Sequence, residues 1–486
     1  MQVAIPKEKS LLNFVENTDA EFFQDTLGDS YVHVTIDKHR EVMPLKSGQC
    51  HTWLSGLYYE KEKCSVSKGI KNQVISVLEY KAKANTSTPV ELHTRIAAEH
   101  NGAYWYDLTN SAWEAVEVTK KGWCIKQPPR LFLRYSIQHA QDTPKKGGDI
   151  RKILNYTPIK GNEILFLSWL VSCFVPKIPH PAMVFYGEKG AGKTTVNELL
   201  KAIIDPSNLE TLNLSNDLRS LNVQLKQNHF LPYDNISKIN DQTSDALCRA
   251  ITGSGIQQRK LYTDDEEKIY RYMRCISING VENVINRPDL LDRSILLQLE
   301  RISDEKRKAI VDLKAEFMAE RPVIMGGIFD TLSKAMKLYK NVKLDKPPRM
   351  ADFERWGYAI AEAIEQGAGQ KFLNEYAANR ELQNIEAIDS DPLATLVVEF
   401  TKEKGEWTGK VFDLCVELIR IAPRQYIALN PKNFSEKPNQ LSRRLNGIKG
   451  NLEAAGVRYE NHGHGRDGTT VTLRWIKAQE GVMPND

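Results

Sequence analysis

Gly187, Gly192, Lys193 and Thr194 hold the fixed positions of G-x-x-x-x-G-K-[ST] in the run GEKGAGKTT, with Gly190 inside the loop and Thr195 following it. Glycines let backbone N–H groups wrap a row of phosphates, and the N-terminus of a following helix adds partial positive charge. Lys193 then reaches the β- and γ-phosphates, and the Thr194 hydroxyl suits a Mg²⁺ ligand. Such a loop needs a second strand ending in an acid that holds the metal or its water. The segment His229 to Asp234, about forty residues downstream, ends in Asp234. Asn235 follows it, where many nucleotide-hydrolysing sites put a Glu. An amide orients a water but cannot take its proton. Either Asp234 serves both metal and water, or the base comes from elsewhere, or hydrolysis is slow.

Two further residues fit the same chemistry. Asn279 ends the apolar run Arg274 to Ile278, and a polar tip beside the loop strand is suited to hold an attacking water. Arg293, in Asp289-Leu290-Leu291-Asp292-Arg293, is placed to neutralise phosphoryl charge across a subunit boundary. The competing reading of Arg293 is a surface ion pair with Asp289 or Asp292.

These side chains require a parallel sheet with helices. Residues 182–186 read as a buried strand before the loop and 195–200 as the helix after it. Residues 229–234 and 274–278 read as further buried strands. Residues 244–253 read as a helix. Residues 259–274 (RKLYTDDEEKIYRYMR) read as a hairpin turning at Asp264-Asp265, with Arg259, Lys260 or Lys268 available to grip DNA, or as a purely structural hairpin. The fold class expected is α/β.

With GEKGAGKTT, YDNIS, SDALCRAITGSG, RKLYTDDEE, ISING and RPDLLDRSI in hand, the chain from about residue 160 to 360 resembles the AAA+ helicases and replication ATPases of phages, plasmids and mobile genetic elements, relatives of superfamily 3 and minichromosome-maintenance helicases. The resemblance implies ATP and Mg²⁺ as ligands and a ring, a hexamer, as the assembly. Lys193, Thr194, Asp234, Asn279 and Arg293 take the roles of Walker A lysine, magnesium ligand, Walker B acid, sensor 1 and arginine finger. Arg349 is the candidate for sensor 2, with Arg355 competing. The hairpin would project into a central channel.

The 486 residues divide into an N-terminal α+β part (1–145), a central ATPase part with its lid (150–385) and a C-terminal part (391–486). The first carries no Asp-x-Asp on a strand end and no His/Cys cluster, which argues against a catalytic site there. Its Tyr104-Trp105-Tyr106 run suits core packing better than base stacking. In the third, Leu441, Leu445, Ile448 and Leu452 form one apolar stripe on an expected helix from 437 to 455, and 408–421 is expected to form the helix before it. Residues 457–460 and 469–475 flank a glycine-rich turn that makes a wing, and His462 and His464 belong to that wing rather than to a metal site. A winged helix of this kind would meet duplex DNA through Arg443, Arg444, Lys449 and Arg466.

Composition narrows the classes further. With 41% hydrophobic and 26% charged residues, the chain is neither disordered nor collagenous. Its net charge of +4 excludes coating nucleic acid by bulk charge, so any DNA contact must come from local patches. Between Lys432 and Lys477, nine Lys and Arg face four Asp and Glu, an excess larger than that of the whole chain. Seven scattered cysteines without a CxxC pair read as reduced thiols in a cytoplasmic protein without structural zinc. The most apolar run, 164–175, is too short to span a bilayer and reads as a buried helix; no secretory leader is expected.

Two functions compete: a ring-forming, ATP-driven DNA helicase or replication initiator, and an ATP-switched, sequence-specific DNA-binding assembly that loads another helicase. Single-stranded and duplex DNA are the expected partners, with a primase or other replication proteins beside them. Asn235 favours the second reading and the hairpin the first. An ATPase switch in signalling would leave the C-terminal part unexplained.

Overall fold

The computed structural model describes residues 6–129, 132–259, 267–270, 272–280, 285, 287–303, 305, 308–344, 349–425, 427, 429, 434, 437–465 and 468–476. At the N-terminus, β1 (Glu21–Gln24), β2 (Ser30–Ile36) and β3 (His39–Pro44) form an antiparallel sheet backed by helices Lys7–Glu16, Gly48–Glu62 and Lys68–Asn85. Val32 and Val34 of β2 close a small core with Leu11, Leu54 and Leu78.

A second meander packs elsewhere. β4 (Ile96–Ala98), β5 (Tyr104–Asp107), β6 (Ala115–Thr119) and β7 (Gly122–Lys126) bury Tyr106, Val116, Val118 and Trp123 in the core of the central part. There the rings of Tyr106 and Trp123 stand 5.6 and 5.7 Å from Phe329. Hydrophobic packing therefore runs unbroken across residue 145. The Tyr104-Trp105-Tyr106 run is used for packing, since Trp105 and Tyr106 are buried.

In the central part, β8 (Ala182–Tyr186), β9 (Phe230–Tyr233), β12 (Cys275–Asn279) and β13 (Ser294–Gln298) form a parallel sheet in the order β13-β8-β12-β9. β10 (Ile256–Arg259) and β11 (Glu267–Tyr270) make the separate hairpin. Ala182–Phe185, Phe230–Tyr233 and Cys275–Asn279 are buried throughout, as strands covered on both faces must be. The run 164–175 supplies one cover, helix Glu163–Ser172, whose every residue from Ile164 on is buried.

The free edge of β13 is closed by a helix that copies a strand. From helix Ala368–Asp389, the Asn379 amide accepts from Leu296 N–H (3.0 Å) and donates to Leu296 C=O (2.6 Å), and Gln383 donates to Ser294 C=O. This satisfies edge groups that would otherwise be unpaired.

A charged cluster lies beneath the sheet. Asp205 pairs with Arg95 (2.9 Å) and Lys201 (3.0 Å), all three at most 1% exposed. Its second oxygen also accepts from His229 N–H at 2.9 Å. Arg95 donates to the carbonyls of Asp107, His139 and Pro206, so one guanidinium ties the second meander to the sheet.

The C-terminal part has its own core. β14 (Glu406–Lys410), β15 (Val457–Gly465) and β16 (Gly468–Trp475) pair in the order β14-β16-β15, packed on helices Pro392–Lys404, Val411–Ile421, Pro438–Gly447 and Lys449–Ala454. Two expectations are corrected here. Residues 408–410 belong to β14, not to the helix, because Thr408 pairs with Thr472 across the sheet and their hydroxyls meet at 2.9 Å. The helix expected from 437 to 455 breaks at Gly447–Ile448, where Ile448 takes φ −102°, ψ 8°. Glycine lowers the cost of such a break, and the stripe Leu441, Leu445, Ile448 and Leu452 stays buried across it. Among the described residues no helix is long and apolar enough to cross a membrane.

Candidate functional site

The glycine loop leaves the C-terminal end of β8 and enters helix Lys193–Ile204. Gly187 adopts φ +138°, and a Cβ there would lie 2.3 Å from Leu299 C=O, so no side chain fits where the loop crosses the end of β13. Lys193 Nζ donates to the Gly187 and Glu188 carbonyls at 2.6 and 2.9 Å, which folds the loop around the ammonium. Burial lowers this ammonium from its ordinary value against the opposing pull of Asp234.

Thr194 Oγ1 donates to the Asp234 carboxylate at 3.0 and 3.3 Å. The two residues are forty positions apart and meet because helix Lys193–Ile204 packs over β9. A buried relay fixes that meeting. Ser277 of β12 donates to Asn197 Oδ1 at 2.8 Å, and Asn197 Nδ2 donates to Tyr233 C=O at 3.4 Å, one residue before Asp234.

Asn279, at the tip of β12, accepts from Asn235 N–H at 2.7 Å. Its Nδ2 is buried with no hydrogen-bond partner among the described residues, a donor that the folded chain leaves unspent beside the loop. Asn235 is exposed and sits at φ +53°, a left-handed conformation that Asn adopts more readily than Glu. The departure from a carboxylate at this position thus has a backbone reason.

A cavity of about 370 Å³ adjoins the loop, lined by Pro158, Asn162, Tyr186, Gln298, Ala378 and Leu382 among others. Tyr186 directly precedes Gly187, and a Cβ at Gly192 would stand 3.9 Å from the Pro158 ring. Its walls come from four separate stretches of chain, so no local motif announces it. The same holds for Asn197 and Ser277, single polar residues in apolar runs.

Arg293 does not join this group. Its carbonyl accepts from Ala182 N–H at 2.8 Å, which places it at the N-terminal end of the sheet, while the loop leaves the opposite end. Five residues of strand separate the two by about 16 Å. Arg293 is 11% exposed and pairs with Asp289 at 2.5 Å, and its Nε is buried without a partner among the described residues. Arg349 grips the same acids, Asp289 at 2.9 Å and Asp292 at 3.0 Å. Burial alone would raise the Asp289 carboxyl, but Arg293 and then Arg349 hold it below its ordinary value. The local ion pair weighed against a subunit-bridging role is therefore present, and Arg349 stands beside Arg293 rather than beside the loop. Arg355 is occupied with the Val342 and Tyr339 carbonyls.

Of the residues expected to meet DNA, Arg443 is exposed on helix Pro438–Gly447 and makes no ion pair among the described residues. Arg444 pairs with Asp391 at 2.8 Å, the N-cap of helix Pro392–Lys404, so its charge is used inside the fold. Lys449 lies 3.7 Å from Glu453. Lys268 stands on β11 opposite Gln258. Lys260, the Asp264-Asp265 turn and Arg466 lie outside the described residues.

Residues 149–383 match the family model described as actinomycete integrative conjugative element replication protein, and residues 393–483 match the model of the RepA C-terminal domain of the same elements. No protein of curated function matches the chain. Similar solved structures include the SCCmec type IV Cch active helicase, with 10% identity, 94% of this chain and 93% of that one covered, and a TM-score of 0.49. The A-form apo structure of the NrS-1 C-terminal region is 13% identical over 96% of this chain and 98% of that one, with a TM-score of 0.41.

Proposed function

We propose that this chain, in which residues 149–383 and 393–483 match the replication protein of an actinomycete integrative conjugative element and its C-terminal domain, is an ATP-driven, ring-forming DNA replication motor. One observation carries the reading. Lys193 and Thr194 after β8, Asp234 after β9 and Asn279 at the tip of β12 come together at the C-terminal ends of three adjacent parallel strands. Ligands of open α/β sheets bind at that edge. The Thr194 hydroxyl and Asp234 carboxylate form an oxygen pair that fits Mg²⁺, an ion that would neutralise phosphate charge there. Lys193 would exchange its loop carbonyls for the β/γ-phosphates, and the unspent Asn279 Nδ2 would hold the water. The cavity beside Tyr186 and Pro158 would take the nucleoside. The direct test is phosphate release from Mg²⁺ and ATP with and without DNA: turnover that rises on DNA addition supports a DNA motor, and no turnover in either condition contradicts it.

Because Arg293 lies across the sheet from its own loop, it can serve a nucleotide only in trans, and its action requires an oligomer. Arg293→Ala should keep nucleotide affinity while turnover falls about a hundredfold. Mixing it with Lys193→Ala should restore part of the activity where two intact half-sites meet. Normal turnover by Arg293→Ala would leave it as the partner of Asp289 alone.

Asp234→Asn should abolish Mg²⁺-dependent turnover, since Asp234 is the carboxylate facing Thr194. Asn235→Glu should hold turnover level or raise it, at a backbone cost of about 1 kcal/mol for Glu at positive φ. Measured together by phosphate release and thermal unfolding, a dead Asn235→Glu beside an active Asp234→Asn would move the acidic strand elsewhere.

The C-terminal arrangement of helix, strand, three helix stretches and a two-stranded hairpin supports a winged helix that docks on duplex DNA. Exposed Arg443 would be its leading contact, and Arg444 a structural one. Asn235 supports the second reading, a switch that binds DNA and loads another motor, because no carboxylate stands there to take a proton.

A further inference from the structure

We propose that the β6–β7 turn and the C-terminal end of helix Ile310–Leu338 form a second DNA-binding surface, a lysine platform that holds the phosphate backbone. This rests on the DNA-motor reading above and gives the N-terminal meander a job that no motif in the first 145 residues announces. Lys120 and Lys121 make the two-residue turn between β6 and β7. Ser333 Oγ donates to Thr119 C=O at 2.6 Å and pins that turn onto the helix. Ser333 and Lys337 stand four residues apart on the helix, so Lys337 shares the face on which the turn is pinned, and Lys340 follows on the short 3-10 turn Tyr339–Asn341. Lys334 flanks it.

All five lysines are exposed. None makes an ion pair among the described residues, whereas Lys126 of the same hairpin pairs with Glu117 at 2.8 Å. The nearby acid, Asp330, accepts from the Trp123 indole N–H (2.8 Å) and Gly147 N–H (2.9 Å), contacts that fix the hairpin, and it pairs with no platform lysine among the described residues. Lys120 and Lys340 come from chain segments more than two hundred residues apart, yet partial loss of hydration and the Lys340 charge beside it pull Lys120 below the ordinary lysine value. Like charges held together without a counter-ion favour an anion. Lys334 and Lys337 stand about 4.5 Å apart along the helix axis and Lys340 continues the row on the turn that follows, which suits a polymer of phosphates better than a single one. The chain's net charge of +4 makes this local concentration the more selective. A Lys-rich helix end is also expected simply to complement the helix dipole, but that does not explain the two lysines brought up by the turn.

The test is fluorescence anisotropy of labelled DNA with the full-length protein over a salt series. The double variants Lys120→Gln/Lys340→Gln and Lys334→Gln/Lys337→Gln should each flatten the plot of log affinity against log salt by about one to two units. Basal ATP turnover should stay at the wild-type level. The control Lys46→Gln/Lys63→Gln, on the separate N-terminal core, should leave the slope alone. An unmoved slope in both platform variants, or an equal change in the control, overturns the platform while leaving the motor intact. A wild-type chain that binds no DNA at any salt overturns the motor reading, and the platform with it.

Discussion

Lys193→Ala should lower ATP turnover by at least about a hundredfold, the scale on which a preorganised cation facing developing phosphoryl charge acts. The fold should survive the change. Among the described residues Lys193 Nζ donates only to the loop carbonyls of Gly187 and Glu188, which water can satisfy once the ammonium is gone. The helix that follows is held independently by Val196, Leu199, Leu200 and Ile203, all buried. Phosphate release and urea unfolding, measured on one preparation, separate the two effects. Turnover near wild type would remove the loop from the chemistry, and a collapsed unfolding midpoint would make it structural.

The second large effect is on stability. Asp205→Ala should cost about 3–5 kcal/mol, because it leaves Arg95 and Lys201 buried without their shared counter-charge. It also strips acceptors from His229 and Phe230 N–H, at the start of the strand that carries Asp234. Asp205→Asn preserves shape and one acceptor but not charge, so it should recover only part of the loss. Burial alone would raise the Asp205 carboxyl, but Lys201 and Arg95 hold it well below the usual carboxylate range. A depressed carboxyl stabilises above its unfolded value and stops doing so as pH falls through its folded one. The difference between wild type and Asp205→Ala should therefore be full at neutral pH and shrink only on strong acidification. A change under about 1 kcal/mol at neutral pH would mean that the cluster is solvated in solution.

What could be read from sequence was what neighbours in the chain encode. The strand at 182–186 was legible because both faces are buried and its residues are apolar without alternation, and the loop because its glycines stand beside Lys193 and Thr194 in the chain. Asn279 was legible as the polar end of an apolar run. The remainder depends on pairs far apart in sequence. Arg95 meets Asp205 across 110 residues, Asn379 closes the β13 edge at Leu296 across 83, and Ser277 meets Asn197 across 80. Nothing in the local pattern of Arg95 distinguishes a buried tie from a surface charge. The meander at 96–126 looked like part of an N-terminal unit because its alternation is that of any half-buried sheet, and only the ring contacts with Phe329 assign its apolar face to the central core. Arg444 looked as available to DNA as Arg443 because adjacent arginines on a helix differ only in which side faces Asp391.

Motor and loader share ATP turnover and DNA binding and part only in whether turnover separates strands. The decisive measurement is displacement of a labelled strand from forked duplexes carrying either 3′ or 5′ tails, with wild type and Lys193→Ala compared under Mg²⁺ and ATP. The wild-type chain should release the strand from one of the two forks, with no release by Lys193→Ala or with a non-hydrolysable ATP analogue. Wild-type turnover of ATP without release from either fork would contradict the motor and leave a DNA-binding switch.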